Sequence, residues 1–199
     1  MGRESAAAMS ESRPPPSPPG ERCQVTDLAG GRLQVRLRGA LAADWSGRLA
    51  AALAAHRISV VRLAGQRQGE RLWDVELVVE PLDGSPDPRS LDYLALARHG
   101  HGPTGPAVDS LPLDLVTLIR TGEALQVDVE AADALGFLDR ILRVFGQFDL
   151  YPRSLQVETR GKKVRDVFSL VGRNGLSPRL QLCEAVALRL RDIAAPEPP

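Results

Sequence analysis

The sequence predicts an α+β protein made of two copies of one small domain, each a four-stranded antiparallel sheet with two helices on one face. Three observations carry this: an internal repeat, strand-period alternation at matched places in both copies, and helix-period apolar stripes after each alternating strand. The repeat is the strongest. Displacing the chain by 92 positions lays Leu125-Gln126-Val127 on Leu33-Gln34-Val35. Without a gap, Arg140 then meets Arg48, Leu155 meets Leu63, Gly161 meets Gly69, Asp166-Val167 meets Asp74-Val75, and Val171 meets Val79. With Ala132 and Ala134 on Ala40 and Ala42, 11 of 47 aligned positions are identical. Apolar character also agrees at Phe137/Trp45, Ile141/Leu49, Phe145/Leu53 and Leu150/Ile58. One register held over such a span marks a tandem duplication.

The bulk composition fits two small domains. A chain of 199 residues accommodates two units large enough to bury a core each, and an apolar content of 43% with 25% charged residues is that of an ordinary globular protein. The 25 basic and 25 acidic residues balance, so no net field draws in nucleic acid or an acidic membrane. No apolar run is long enough to span a bilayer. Cys23 and Cys183 stand at unmatched places in the two copies, which argues against a disulfide framework or a zinc site and for a cytoplasmic setting.

Residues 1–21, with Pro14-Pro15-Pro16 and Pro18-Pro19 among Ser, Glu and Arg, lack the apolar core of a signal peptide and read as a disordered Pro-rich tail. The first domain is expected over 22–98. A short strand at Cys23–Leu28 turns at Ala29-Gly30-Gly31 into Arg32–Arg38, where Leu33, Val35 and Leu37 alternate with Gln34, Arg36 and Arg38. Asp44–His56 is helical, with Trp45, Leu49 and Leu53 on one stripe. Ile58–Leu63 and Leu72–Val79 form a hairpin, and Pro88–Arg98 a second helix. Residues 99–112 read as a linker, whose His99 and His101 lack further ligands at metal-binding spacing. The second domain, 113–193, repeats the plan. Leu113–Arg120 and Leu125–Glu130 are strands, Leu135–Phe148 a helix, Leu155–Thr159 and Val164–Val171 a hairpin, and Pro178–Arg191 the last helix. Residues 194–199 form a tail.

Each copy thus runs ββαββα. Two helices over one face of four antiparallel strands make the ferredoxin-like sandwich, here in a permuted order in which an additional N-terminal strand replaces the usual last one.

The second copy resembles the ACT domain family. The resemblance lies in Leu125-Gln-Val-Asp-Val-Glu-Ala-Ala-Asp-Ala-Leu-Gly-Phe-Leu138, a strand running through an Asp-x-x-Gly-x-Leu loop into a helix, and in Gly161-Lys-Lys-Val-Arg-Asp-Val-Phe168 downstream. The tandem layout is similar to the paired ACT domains that close the bacterial uridylyltransferase/uridylyl-removing enzyme of nitrogen control, and nothing in the chain resembles that enzyme's catalytic domains. The resemblance implies a regulatory protein binding an amino acid or other small ligand between domains, with the contacts made by Ala132, Asp133, Leu135, Gly136, Phe137 and Leu138. Backbone N–H groups at a helix start suit a carboxylate, an Asp an ammonium, and a Gly close approach. Two departures stand out. Ala134 and Leu135 occupy places where the family commonly has Arg and Pro, and the first copy, with Leu41, Ala42, Ala43 and Asp44, lacks both the Asp and the Gly in register.

A structural role competes for each of these residues. Asp133 suits a helix N-cap, and Asp74 and Asp166, each beside an apolar Val, are expected on the wet face of their strands. Arg36 and Arg38 in one copy against Asp128 and Glu130 in the other suggest either docking of opposite charges or two solvated faces. No Ser/His/Asp or Cys/His set and no phosphate-cradling Gly loop is present, so no catalysis and no cofactor are expected. The expected role is ligand-responsive regulation, through intramolecular pairing of the two domains, a homodimer, or both. The alternative is a protein-interaction or dimerisation scaffold that binds no metabolite.

Overall fold

A computed structural model of the chain describes residues 21–69, 71–100 and 108–194. Nearly all of the Pro-rich tail, His101 of the histidine pair, and the C-terminal tail from residue 195 lie outside the described residues. In the first copy the elements are β1 (Arg22–Asp27), β2 (Leu33–Ala40), α1 (Trp45–Ala55), β3 (Ile58–Gln68), β4 (Leu72–Pro81) and α2 (Tyr93–His99). The second copy supplies β5 (Leu113–Arg120), β6 (Leu125–Ala132), α3 (Phe137–Gln147), β7 (Leu150–Arg160), β8 (Lys163–Gly172) and α4 (Leu180–Ile193). The order ββαββα is that expected. Three helices start two residues or more later than in the sequence reading: α3 at Phe137 instead of Leu135, and α2 and α4 beyond prolines. Pro88 sits in a short 3-10 turn ahead of α2 rather than inside it, and Pro178 precedes α4. Proline suits the approach to a helix better than its interior, because it has no N–H to give.

The two sheets are one. All eight strands pair antiparallel in the order β1-β2-β4-β3-β7-β8-β6-β5. The seam between the copies is β3 on β7, with Arg62 opposite Glu158, Leu63 opposite Val157 and Gly65 opposite Leu155. Directly paired residues share a face, so a line can be followed across the molecule. Leu37, Val75, Gly65, Leu155, Phe168, Val127 and Leu118 are successive partners, and they lie on the face that carries the core. Arg36, Glu76, Ala64, Gln156, Val167, Asp128 and Thr117 trace the opposite, uncovered face. The helices cover the first face, and α1 and α3 meet across the seam. Trp45 and Trp73 pack edge to face in one half (centroids 5.1 Å apart) and Phe145 and Phe168 in the other (5.2 Å), within one continuous apolar cluster.

The duplication extends to irregular features. β3 bulges between Val60 and Arg62 and β7 between Pro152 and Ser154, which are matched positions. Arg57 and Asp149, also matched, both take positive φ (57° and 55°) just after α1 and α3. The hairpins then break the match. In β3–β4 Gln68 pairs with Leu72, which puts three residues in the turn, whereas in β7–β8 Arg160 pairs with Lys163, which leaves two. Beyond that turn the structural partner of Val75 is Asp166, not Val167, and that of Trp73 is Val164. The identities Asp74/Asp166, Val75/Val167 and Val79/Val171 are therefore out of structural register by one residue.

That slip corrects the placement of Asp166. Asp74 is on the wet face, its side chain 48% exposed and 3.5 Å from Arg38. Asp166 points the other way, beneath the helices, and is fully buried. The charge contrast on the uncovered face is settled locally. Arg36 pairs with Glu76 (3.1 Å), Arg38 with Asp74, and Glu130 with Arg165 (3.9 Å), so each half compensates its own charges across neighbouring strands.

The segment that joins the copies is tied down at its far end. Val108 and Leu111 are buried, Leu111 N–H donates to Ile193 C=O (2.7 Å), and Arg189 Nη2 donates to Val108 C=O (2.7 Å). Residues placed in the linker by composition thus dock on α4.

Candidate functional site

Alternation along β6 buries Leu125, Val127, Val129 and Ala131, and the chain leaves the sheet at Ala132. Asp133 N–H donates to Lys162 C=O (2.8 Å) and Ala132 N–H to Pro112 C=O (3.1 Å), which fixes the start of the loop. Helix α3 begins after Gly136, the N-cap residue, at φ 79°. Asp133 does not cap it, and no side chain does. Gly136 takes the left-handed conformation that glycine alone adopts without strain, and a Cβ there would stand 3.7 Å from Ala54 on α1 of the other copy. Phe137 and Leu138 turn into the core, and Leu135 stays 42% exposed.

The loop therefore lies against the other copy, at one end of the seam. It encloses a cavity of only about 30 Å³, lined by Ala50, Ala54 and Ile58–Val60 of the first copy and by Asp133–Asp139, Val157, Val164 and Asp166 of the second. Ala132 borders this space without lining it. Five of the six predicted contact residues line this space, and the space is nearly closed.

Sequence reasoning missed Asp166. Neither of its carboxylate oxygens has a hydrogen-bond partner of good geometry. Burial pushes the carboxyl up to about 7; the Glu158 backbone offsets part of that rise, and the Asp133 charge adds a little. Burial, then the charge of Glu80, also raises Asp133. Asp139, in the first turn of α3, is buried and held by Arg143 at 2.5 Å. Three carboxyl groups thus converge on this end, with no basic side chain in the lining. A signal for Asp166 is present in the sequence: Val164, Phe168 and Leu170 alternate in its own phase, which puts it inward with them.

The other end of the seam is its pseudo-equivalent and differs in size and sign. There the Ala40–Ala43 loop faces Tyr151 and Pro152 of β7, which match Ser59 and Val60. The cavity is about 630 Å³, and its lining carries Arg67, Arg71 and Arg173. Ala43 stands where Leu135 fills the first site, which accounts for part of the added room.

Among the described residues no group of three or more His, Cys, Asp or Glu side chains is arranged to hold a metal, and no helix is long and apolar enough to cross a membrane. Cys23 is exposed and Cys183 buried, and neither is in a disulfide. No protein-family model matches the chain, and no curated protein or solved structure matches it. Class is therefore defined by the fold alone: two ferredoxin-like modules merged into one eight-stranded sheet, an arrangement consistent with paired domains of ACT type.

Proposed function

We propose that this chain is a non-catalytic regulatory protein of tandem ACT type that binds a small ligand, an amino acid, at the Ala132–Leu138 loop. The observation that carries the reading is the buried Asp166 carboxyl under that loop, whose oxygens lack a hydrogen-bond partner of good geometry. An ammonium group would satisfy it, while backbone N–H groups in the first turn of α3 would take a carboxylate. About 30 Å³ is room for a water molecule, so ligand entry requires the loop to lift, with Gly136 as its pivot. A ligand closing the seam at this end would report its presence to both halves of the sheet, and intracellular nitrogen metabolism is a natural setting for such a sensor.

The test is a thermal-shift screen against the standard amino acids, glutamine first, because a ligand selective for the folded state raises its melting temperature. A selective shift that disappears in Asp166→Asn supports the reading. The absence of a shift with every amino acid would sink it.

A second reading is a protein-contact module that binds no metabolite. Leu115 (54% exposed) and Ile119 (50%) favour it, since they lie together on the uncovered face of the edge strand β5. A second copy of the chain is the simplest occupant. Gly136→Asp separates the two readings, removing ligand binding under the first and sparing a contact at β5 under the second.

A further inference from the structure

We infer that the open end of the seam is an anion site for a small organic dianion, a phosphate monoester or a short dicarboxylate, held by Arg67, Arg71 and Arg173. The two ends of the seam descend from one plan, yet only this end has room for a metabolite: about 630 Å³, within the usual range for small-ligand pockets.

Its polarity comes from side chains of both copies. Arg67 follows Leu63 and Gly65 in phase, so its side chain leaves β3 on the helix-bearing face, opposite Trp73. Its guanidinium crosses the seam, with Nη1 3.7 Å from where a Cβ on Gly175 would lie. Arg71 enters from the β3–β4 turn and is exposed. Arg173 enters from the end of β8, stacks over Tyr151 at 4.9 Å and donates from Nη2 to the phenol oxygen (2.5 Å). Asn174 adds an amide. Among the described lining residues there is no carboxylate. Among the described residues near it, Asp44 pairs with Arg48 (2.8 Å), while Asp149 pairs with Arg173 itself (3.1 Å) and leaves that guanidinium's Nη1 to the site.

Guanidinium groups from both copies border one space, and a doubly charged anion there accepts paired N–H bonds from more than one of them. Trp73, Leu41 and Val171 in the same lining give a carbon skeleton an apolar wall. The carboxyl-lined end has the opposite polarity, so this proposal stands apart from the amino-acid reading.

The test is titration of the full chain with inorganic phosphate and with succinate at constant ionic strength, against chloride, followed by melting temperature and tryptophan fluorescence. Trp73 borders the site. A saturable response is expected, about tenfold weaker in Arg71→Ala, intermediate in Arg71→Lys, and unchanged in Gly136→Asp. Response to phosphate alone assigns a phosphate ester, and response to succinate alone a dicarboxylate. A response no greater than that to chloride, or one that Arg71→Ala leaves intact, overturns the proposal. Because Gly136→Asp disables only the other end, failure here and failure of the amino-acid reading are read separately.

Discussion

Asp166 shows how one residue sets a measurable property. An ordinary aspartate titrates near pH 4, whereas this one is raised to about 7 by burial. Between those values the folded chain holds a proton that the unfolded chain has released, so stability from this group is full below about pH 4 and declines up to about pH 7. Above that both states are ionised and the loss is constant, on the order of 4 kcal/mol. Asp166→Val, the residue that the first copy carries at the equivalent place (Val75), is expected to flatten the decline and to stabilise the chain by roughly 2–4 kcal/mol at pH 8. Urea unfolding at pH 5 and pH 8 measures this, and equal pH slopes in the two proteins would disprove it. Gly136 makes a second residue-scale case. Gly136→Asp forces a side chain into positive φ, at a cost of about 1 kcal/mol in the same assay.

At the scale of elements, the strand and helix plan of both copies was legible because periodicity survives duplication. The hairpin insertion was not. Gly69 and Gly161 both open their turns at positive φ, so the register looks intact up to the glycine, and three chance identities follow it. The alternation of Val164, Asp166 and Phe168 contradicted those identities and was the better guide. The Asp133–Leu138 stretch shows its glycine in the sequence, but helix α3 starts two residues later than Leu135, with Gly136 rather than Asp133 as its N-cap. The near closure of the loop depends on Ala54 and Ser59 of the other copy, which no local pattern reveals. The seam itself rests on a missing side chain. A Cβ on Gly65 would come 2.8 Å from Leu155 Cδ2 and 3.3 Å from Trp45 Cζ2. Leu155 can swing away, whereas the packed indole cannot. Gly65→Val is therefore expected to cost roughly 1–3 kcal/mol, read from the midpoint of denaturant unfolding.

For the whole molecule, one sheet and one apolar cluster predict one transition. Both tryptophans, Trp45 and Trp73, lie in the first copy, so their fluorescence follows that half while far-UV circular dichroism follows both. The two signals are expected to change together on heating or in urea. Separate midpoints would mean that the seam is weak and that the halves unfold independently.

Joining the copies in one polypeptide has an evolutionary effect as well as a structural one. In a dimer of identical chains every substitution falls twice, and both ends of the seam must remain alike. Here Arg67 and Asp166 each stand on one side only, with Thr159 and Val75 at the matched places. The tether keeps the halves at high effective concentration however far their sequences drift. The chain is thus a pair of unlike halves in one polypeptide, free to offer carboxyl groups at one end of the seam and guanidinium groups at the other.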